Sequence, residues 1–201
     1  MINYDYLFRI IIAGDSNCGK TSICTRKIND TIENIETTIG AEYFCMYTKH
    51  DDKRIKLQTW DLAGNTTYRN IVISYMRKID LAVVVFSIDK LASYVSVRAW
   101  IDKILEHCHE SMPIILVGTK SDLEEHRMVS QTHVLQLCGE YENNIVKYME
   151  VSAKSNSNID ELFDQCAEEV YKYKKAREIL SEPILTCINI KAESDNESKC
   201  C

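Results

Sequence analysis

The sequence predicts an α/β protein: a single doubly wound, mostly parallel six-stranded sheet with helices on both faces. Three observations lead there. Short apolar runs alternate with segments of helical spacing, the order that right-handed strand-helix-strand crossovers require. One pair of amphipathic strands meets at Asp51-Asp52, which supplies a single antiparallel hairpin. A glycine-flanked turn, Gly14 to Thr21, separates the first strand from the first helix. In open parallel sheets the loops at the carboxyl ends of the strands are where ligands bind.

Taken in order, Tyr6 to Ala13 (Tyr-Leu-Phe-Arg-Ile-Ile-Ile-Ala) reads as a strand buried on both faces, and Thr21 to Asp30 continues as a helix. Thr31 to Gly40 is polar and irregular. The strands Ala41 to His50 and Lys53 to Trp60 form the hairpin, and Asp61 to Asn70 is again irregular. Leu81 to Ser87 and Pro113 to Gly118 are short apolar runs suited to central parallel strands. Between them, Val97, Trp100, Ile101, Ile104 and Leu105 recur at helical spacing within Ser93 to His107, with Ser93 expected as the cap. Ser130 to Tyr141 is expected as a helix and Val146 to Val151 as the last strand. Asn158 to Ala176 closes the order as a helix, with Asn158 and Glu161 at capping-box spacing.

The composition, 27% charged and 45% hydrophobic over 201 residues, suits one domain with a sizeable core. We place it at residues 1–178, followed by a flexible tail at 179–201. The net charge of −6 argues against a nucleic-acid surface or a polybasic membrane patch, so the expected partners are proteins. No apolar run is long enough for a membrane span and the start lacks a signal-peptide layout, so the domain is expected to be cytosolic. The nine cysteines are scattered and odd in number; the first six, Cys18, Cys24, Cys45, Cys108, Cys138 and Cys166, read as reduced core thiols. His107-Cys108-His109 resembles a metal cluster only superficially, because adjacent helical residues point about 100° apart.

The chemistry is written in the loops that follow the strands. Gly14-Asp15-Ser16-Asn17-Cys18-Gly19-Lys20-Thr21, with Ser22 beside it, spells a P-loop. Its backbone N–H groups are arranged to cradle phosphates, Lys20 reaches the β- and γ-phosphates, and the Thr21 hydroxyl is left for Mg²⁺. Asp61-Leu62-Ala63-Gly64 places a carboxylate that can bind the water shell of Mg²⁺ and the Gly64 N–H that can donate to a γ-phosphate. Thr119-Lys120-Ser121-Asp122 follows the next buried strand, where the Asp122 carboxylate can accept from N1 and N2 of guanine, a pattern adenine lacks. Ser152-Ala153-Lys154 follows the last strand, where a backbone N–H can donate to guanine O6.

In this order the motifs resemble those of the Ras superfamily of small GTPases, and within it the Rab branch, over essentially the whole chain. Thr38-Ile39-Gly40 and Ile55 to Asp61 are Rab-like stretches. The resemblance implies GTP and GDP as bound nucleotides, with Thr21 and Thr38 ligating Mg²⁺ and Asp61 acting through water. It implies nucleotide-sensitive switches near 31–43 and 61–77. It further implies an effector surface of Ile39, Gly40, Tyr43, Trp60 and Tyr75; the alternative for the three aromatics is ordinary core packing, and exposure separates the two. The implied partners are effector proteins, a GTPase-activating protein, an exchange factor and a prenyl-binding chaperone. The protein would be a monomer, placed on the cytoplasmic face of an intracellular membrane with a cytosolic pool.

The chain departs from the family at a few positions. Asn65 stands where the family has a water-positioning glutamine, and its side chain is shorter by one methylene, about 1.5 Å. Slow hydrolysis is expected, with Gly64, Asn65 and Lys20 as the catalytic group; the alternative is a pseudo-GTPase held in one nucleotide state. Thr119 replaces the usual asparagine of the guanine motif, as in Rac-like relatives, and Ile32 stands where an aromatic usually covers the guanine edge. Faster exchange is expected. The polar tail ends in Cys200-Cys201, resembling the double-cysteine prenylation signal, and two lipids are the coherent reading because the tail offers no basic patch.

Overall fold

Along the first strand, β1 (Tyr6–Ala13), every residue from Ile10 onward is buried, because successive side chains enter opposite cores. Ile10 and Ile12 pack with α1 (Lys20–Asn29) and α6 (Ile159–Ala176); Ile11 and Ala13 pack on the other face, against α2 (Arg69–Tyr75) and α4 (Val97–His107). The computed structural model of the chain describes residues 3–32, 36–65, 69–109 and 111–177. The expected tail, with Cys187, Cys200 and Cys201, lies outside them.

The sheet has six strands in the order β2-β3-β1-β4-β5-β6, with β2 (Ala41–His50), β3 (Lys53–Leu62), β4 (Leu81–Ser87), β5 (Ile114–Thr119) and β6 (Ile145–Val151). Of the strand pairs among the described residues, only β2–β3 is antiparallel, with Asp51 and Asp52 at its turn, both at positive φ. The parallel strands point their carboxyl ends the same way, so the P-loop and the loops after β3, β5 and β6 gather on one edge.

Several local expectations are corrected. Ser93 caps no helix: it lies inside α3 (Leu91–Val95), where its hydroxyl accepts from the Ser87 N–H at 2.9 Å and donates to the Lys90 carbonyl at 2.7 Å, bracing the end of β4. The expected single helix divides at Ser96 into α3 and α4. Asn158 sits at the start of α6 with φ 58° and makes no side-chain cap; its amide donates instead to the Glu150 carbonyl at 2.8 Å. The stretch expected as irregular contains the end of β3 at Asp61 and Leu62 and the start of α2 at Arg69. A 3₁₀ turn, Ser121–His126, follows β5, and α5 (Gln131–Glu140) is capped by the Ser130 hydroxyl, which accepts from the His133 N–H at 3.3 Å.

Candidate functional site

The P-loop wraps the end of β1 as a tightly packed turn. Gly14 has φ 148°, and a side-chain carbon there would lie 2.2 Å from the Val85 carbonyl oxygen of β4. Asp15 is fixed twice: its carbonyl accepts from the Lys20 ammonium at 2.9 Å, and its carboxylate accepts from the Trp100 indole N–H of α4 at 3.0 Å. Cys18 is fully buried, and that burial pushes its thiol above the ordinary range, so it acts as a packing group. Asn17 is exposed at φ 63°, and Gly19 leads into α1.

Across the loop lies a cluster of three oxygens. The Thr21 and Thr38 hydroxyls are 2.9 Å apart, and both donate to one oxygen of Asp61, at 2.5 and 3.2 Å. Asp61 is completely buried, and its other oxygen, Oδ1, has no hydrogen-bond partner among the described residues. Burial pushes the Asp61 carboxyl above its usual range, while the Thr21 hydroxyl, Lys20 and the Thr38 hydroxyl pull it back. A buried carboxylate with an orphan oxygen beside two hydroxyls fits a divalent cation of the hard, oxygen-seeking kind. Thr21, Thr38 and, through water, Asp61 would hold Mg²⁺.

Gly64 lies against the P-loop backbone: a side-chain carbon there would meet the Asp15 carbonyl carbon and the Ser16 nitrogen at 2.3 Å. With Ser16, Lys20, Thr21, Ser22 and Thr38 it borders a cavity of about 380 Å³, within the range of small-molecule sites. Ile32, Glu36 and Thr37 also line this cavity; the last two carried no motif in the sequence. Asn65 is exposed and borders a separate cavity of about 170 Å³ with Gly64, Val72 and Trp100.

The loops after β5 and β6 meet on the far side. The Thr119 hydroxyl donates to the Cys18 carbonyl at 2.5 Å and approaches the Phe86 carbonyl at 3.0 Å, so a threonine ties this loop to the P-loop. Lys120, at φ 59°, lines the large cavity and pairs with Asp89 at 3.3 Å. Asp122 is exposed, and one of its oxygens accepts from the Ser152 hydroxyl at 2.5 Å. Arg26 of α1 clamps the last motif, donating to the Ala153 carbonyl at 2.7 Å and the Lys154 carbonyl at 3.2 Å. Neither Arg26 nor the link from Trp100 to Asp15 had a sequence signal, since both side chains sit at ordinary helix positions.

Of the expected effector residues, Ile39 is 75% exposed and Tyr43 is 43% exposed. Tyr43, Trp60 and Tyr75 form one aromatic row, with ring centroids 4.9 and 4.8 Å apart, but Trp60 and Tyr75 are half-buried against the core. Gly40 is buried and offers no surface; its carbonyl accepts from the Ala63 N–H at 2.9 Å and joins the loop before β2 to the loop after β3. The His107, Cys108 and His109 side chains diverge to Lys103, Met76 and Arg177. Among the described residues, no helix is long and apolar enough to cross a membrane.

Known proteins resemble the chain over most of its length. A model of the Ras family matches residues 9–172. GTP-binding protein ypt2 of Schizosaccharomyces pombe is 36% identical over 86% of this chain and 85% of its own length. Ras-related protein Rab11B of Nicotiana tabacum is 35% identical over 90% of this chain and 83% of its own. Ras-related protein Rab-19 of Rattus norvegicus is 36% identical over 84% and 77%.

Proposed function

Because the chain belongs to the Ras family of GTP hydrolases and groups with its Rab and Ypt members, we propose that it is a Mg²⁺-dependent switch. It binds GTP, engages effectors in that state, and hydrolyses GTP slowly to GDP. The observation that carries this reading is the convergence of Thr38 on Thr21 and Asp61. A residue from the loop before β2 is thereby tied to the P-loop at the point where the γ-phosphate would lie.

In the loaded state Lys20 exchanges its bond to the Asp15 carbonyl for phosphate oxygens, and the Gly64 N–H donates to the γ-phosphate. When bound, Mg²⁺ would neutralise charge on the β- and γ-phosphates. Asp122, oriented by Ser152, accepts from guanine N1 and N2, and the Ala153 N–H donates to O6. Asn65 is the weak member, because its short amide holds the attacking water poorly, and an activating protein supplies the missing groups in trans. Loss of the γ-phosphate frees Gly64 and Thr38, and the effector surface around Ile39 and Tyr43 changes with them.

The wider role follows from the family: a lipid-anchored protein on the cytoplasmic face of an intracellular membrane, acting in vesicle traffic. Double prenylation at Cys200 and Cys201, a lipid-shielding chaperone and an exchange factor complete the cycle. A second reading, a binding module fixed in one nucleotide state, is favoured by one observation, Asn65 in place of glutamine. The base assignment is tested by competing GTP, GDP and ATP against a fluorescent GDP analogue. Displacement by GTP and GDP but not ATP is expected, and equal displacement by ATP would overturn it.

A further inference from the structure

We propose that Arg127, Glu150 and Tyr148 form a brace that sets the guanine selectivity of the nucleotide site. This rests on the assignment of Asp122 as the base-reading carboxylate. Asp122 lies in the 3₁₀ turn that ends beside Arg127, whereas Ser152, which orients it, follows β6. The distance between these two loops therefore depends on what fastens the turn to the strand.

Arg127 is that fastener. Its Nε and one terminal nitrogen donate to the two oxygens of Glu124 at 2.8 and 2.6 Å. Its two terminal nitrogens donate to the two oxygens of Glu150 at 3.0 and 2.7 Å, and one of them also reaches the Val129 carbonyl at 3.2 Å. These bonds use all five N–H donors of the guanidinium, a pattern that a lysine ammonium cannot copy. The Arg127 and Glu150 side chains are only 15% and 17% exposed, so solvent screens the pair weakly. Tyr148 completes the brace from below: its hydroxyl donates to Glu150, and its ring stacks on Phe86 with centroids 6.3 Å apart.

The brace reaches both base-reading loops through the sheet. Glu150 pairs with Gly118 in the β5–β6 ladder, four residues before Asp122 on one strand and two before Ser152 on the other. Arg127 therefore fixes the turn carrying Asp122 to the strand that leads into Ser152, and none of the three side chains of the brace lines the phosphate cavity. These are positioning residues. Their loss should act on recognition of the base edge and leave phosphate binding alone.

Inosine diphosphate tests this, because its base lacks the 2-amino group that Asp122 reads. Affinities for GDP and inosine diphosphate are measured on the full chain for wild type, Arg127→Lys and Tyr148→Phe, with melting curves as a fold check. Tyr148→Phe keeps the ring on Phe86 and removes only the hydroxyl. Wild type should prefer GDP, and Arg127→Lys should narrow that preference by about tenfold, as expected for misplacing one charge-assisted bond, with Tyr148→Phe shifting it less but in the same direction. An unchanged preference in both variants, or equal loss of affinity for the two nucleotides, would overturn the proposal. Wild type that holds both nucleotides equally would instead overturn the guanine assignment of Asp122, and the proposal with it.

Discussion

Replacing Gly64 by alanine should uncouple the protein from the γ-phosphate while sparing GDP binding. The added carbon would lie 2.3 Å from the Asp15 carbonyl carbon and the Ser16 nitrogen and 2.6 Å from the Gly14 carbonyl oxygen. Non-bonded carbon contacts need about 3.5 Å or more, so the two segments must part by roughly 1 Å. The P-loop cannot yield, because Gly14 is pressed against Val85 and Asp15 is held by Lys20 and Trp100. Gly64 must therefore withdraw, and its N–H leaves hydrogen-bond range of the γ-phosphate. A hydrogen bond to a charged group is worth about 1.5–3 kcal/mol, which corresponds to roughly a tenfold to 150-fold loss for GTP, and GDP has no γ-phosphate to lose. The assay is competition of a non-hydrolysable GTP analogue and of GDP against fluorescent GDP in Mg²⁺. The analogue-to-GDP affinity ratio should fall by about tenfold or more. A ratio unchanged within about twofold would refute the placement of Gly64 beside the γ-phosphate.

Other outcomes follow from the same geometry. Asn65→Gln, which restores the missing methylene, should raise single-turnover hydrolysis by about tenfold, and an unchanged rate would show that Asn65 does not limit water positioning. Chelation by EDTA should speed GDP release from wild type but hardly alter release from Asp61→Asn, whose nucleotide-free form should melt no lower because it no longer buries a charge. Glu150 is raised by burial, but Arg127 and Tyr148 outweigh this and hold its carboxyl below the ordinary value of 4.5. Its contribution to stability is therefore present above pH 4.5 and lost as pH falls through the lower folded value. Urea titrations at pH 7 and near pH 4 should show wild type losing more stability between them than Glu150→Gln, and equal losses would contradict the shift.

The β1 and β4 runs, apolar at all but one position each, made a sheet covered on both faces readable from sequence, and the acidic turn at Asp51-Asp52 marked the antiparallel β2–β3 pair. Of the candidate site, the motif residues Gly14, Lys20, Thr21, Asp61, Gly64 and Asp122 stood out in the sequence, and the fold brings their loops to one edge of the sheet. Capping was misread because Ser93 and Asn158 have tertiary partners, Ser87 and Glu150, that compete with the local bond. Arg26, Trp100 and Arg127 escaped notice for a related reason. Each is an ordinary helix or loop residue whose role arises from a bond across 23 or more positions, to Ala153, Asp15 and Glu150, and one-dimensional periodicity carries no trace of it. Thr119 was noticed as a departure, but only the folded chain brings its hydroxyl to the Cys18 carbonyl, where it fastens the loop after β5 to the P-loop without an amide.

The most direct measurement is single-turnover conversion of bound GTP to GDP by the purified full chain in Mg²⁺, with and without a Rab-type activating protein. The expected result is slow conversion that the activator accelerates, as the proposal of a switch with Asn65 supplemented in trans requires. Tight GTP binding with no conversion under either condition would contradict the switch and leave a module fixed in its GTP state.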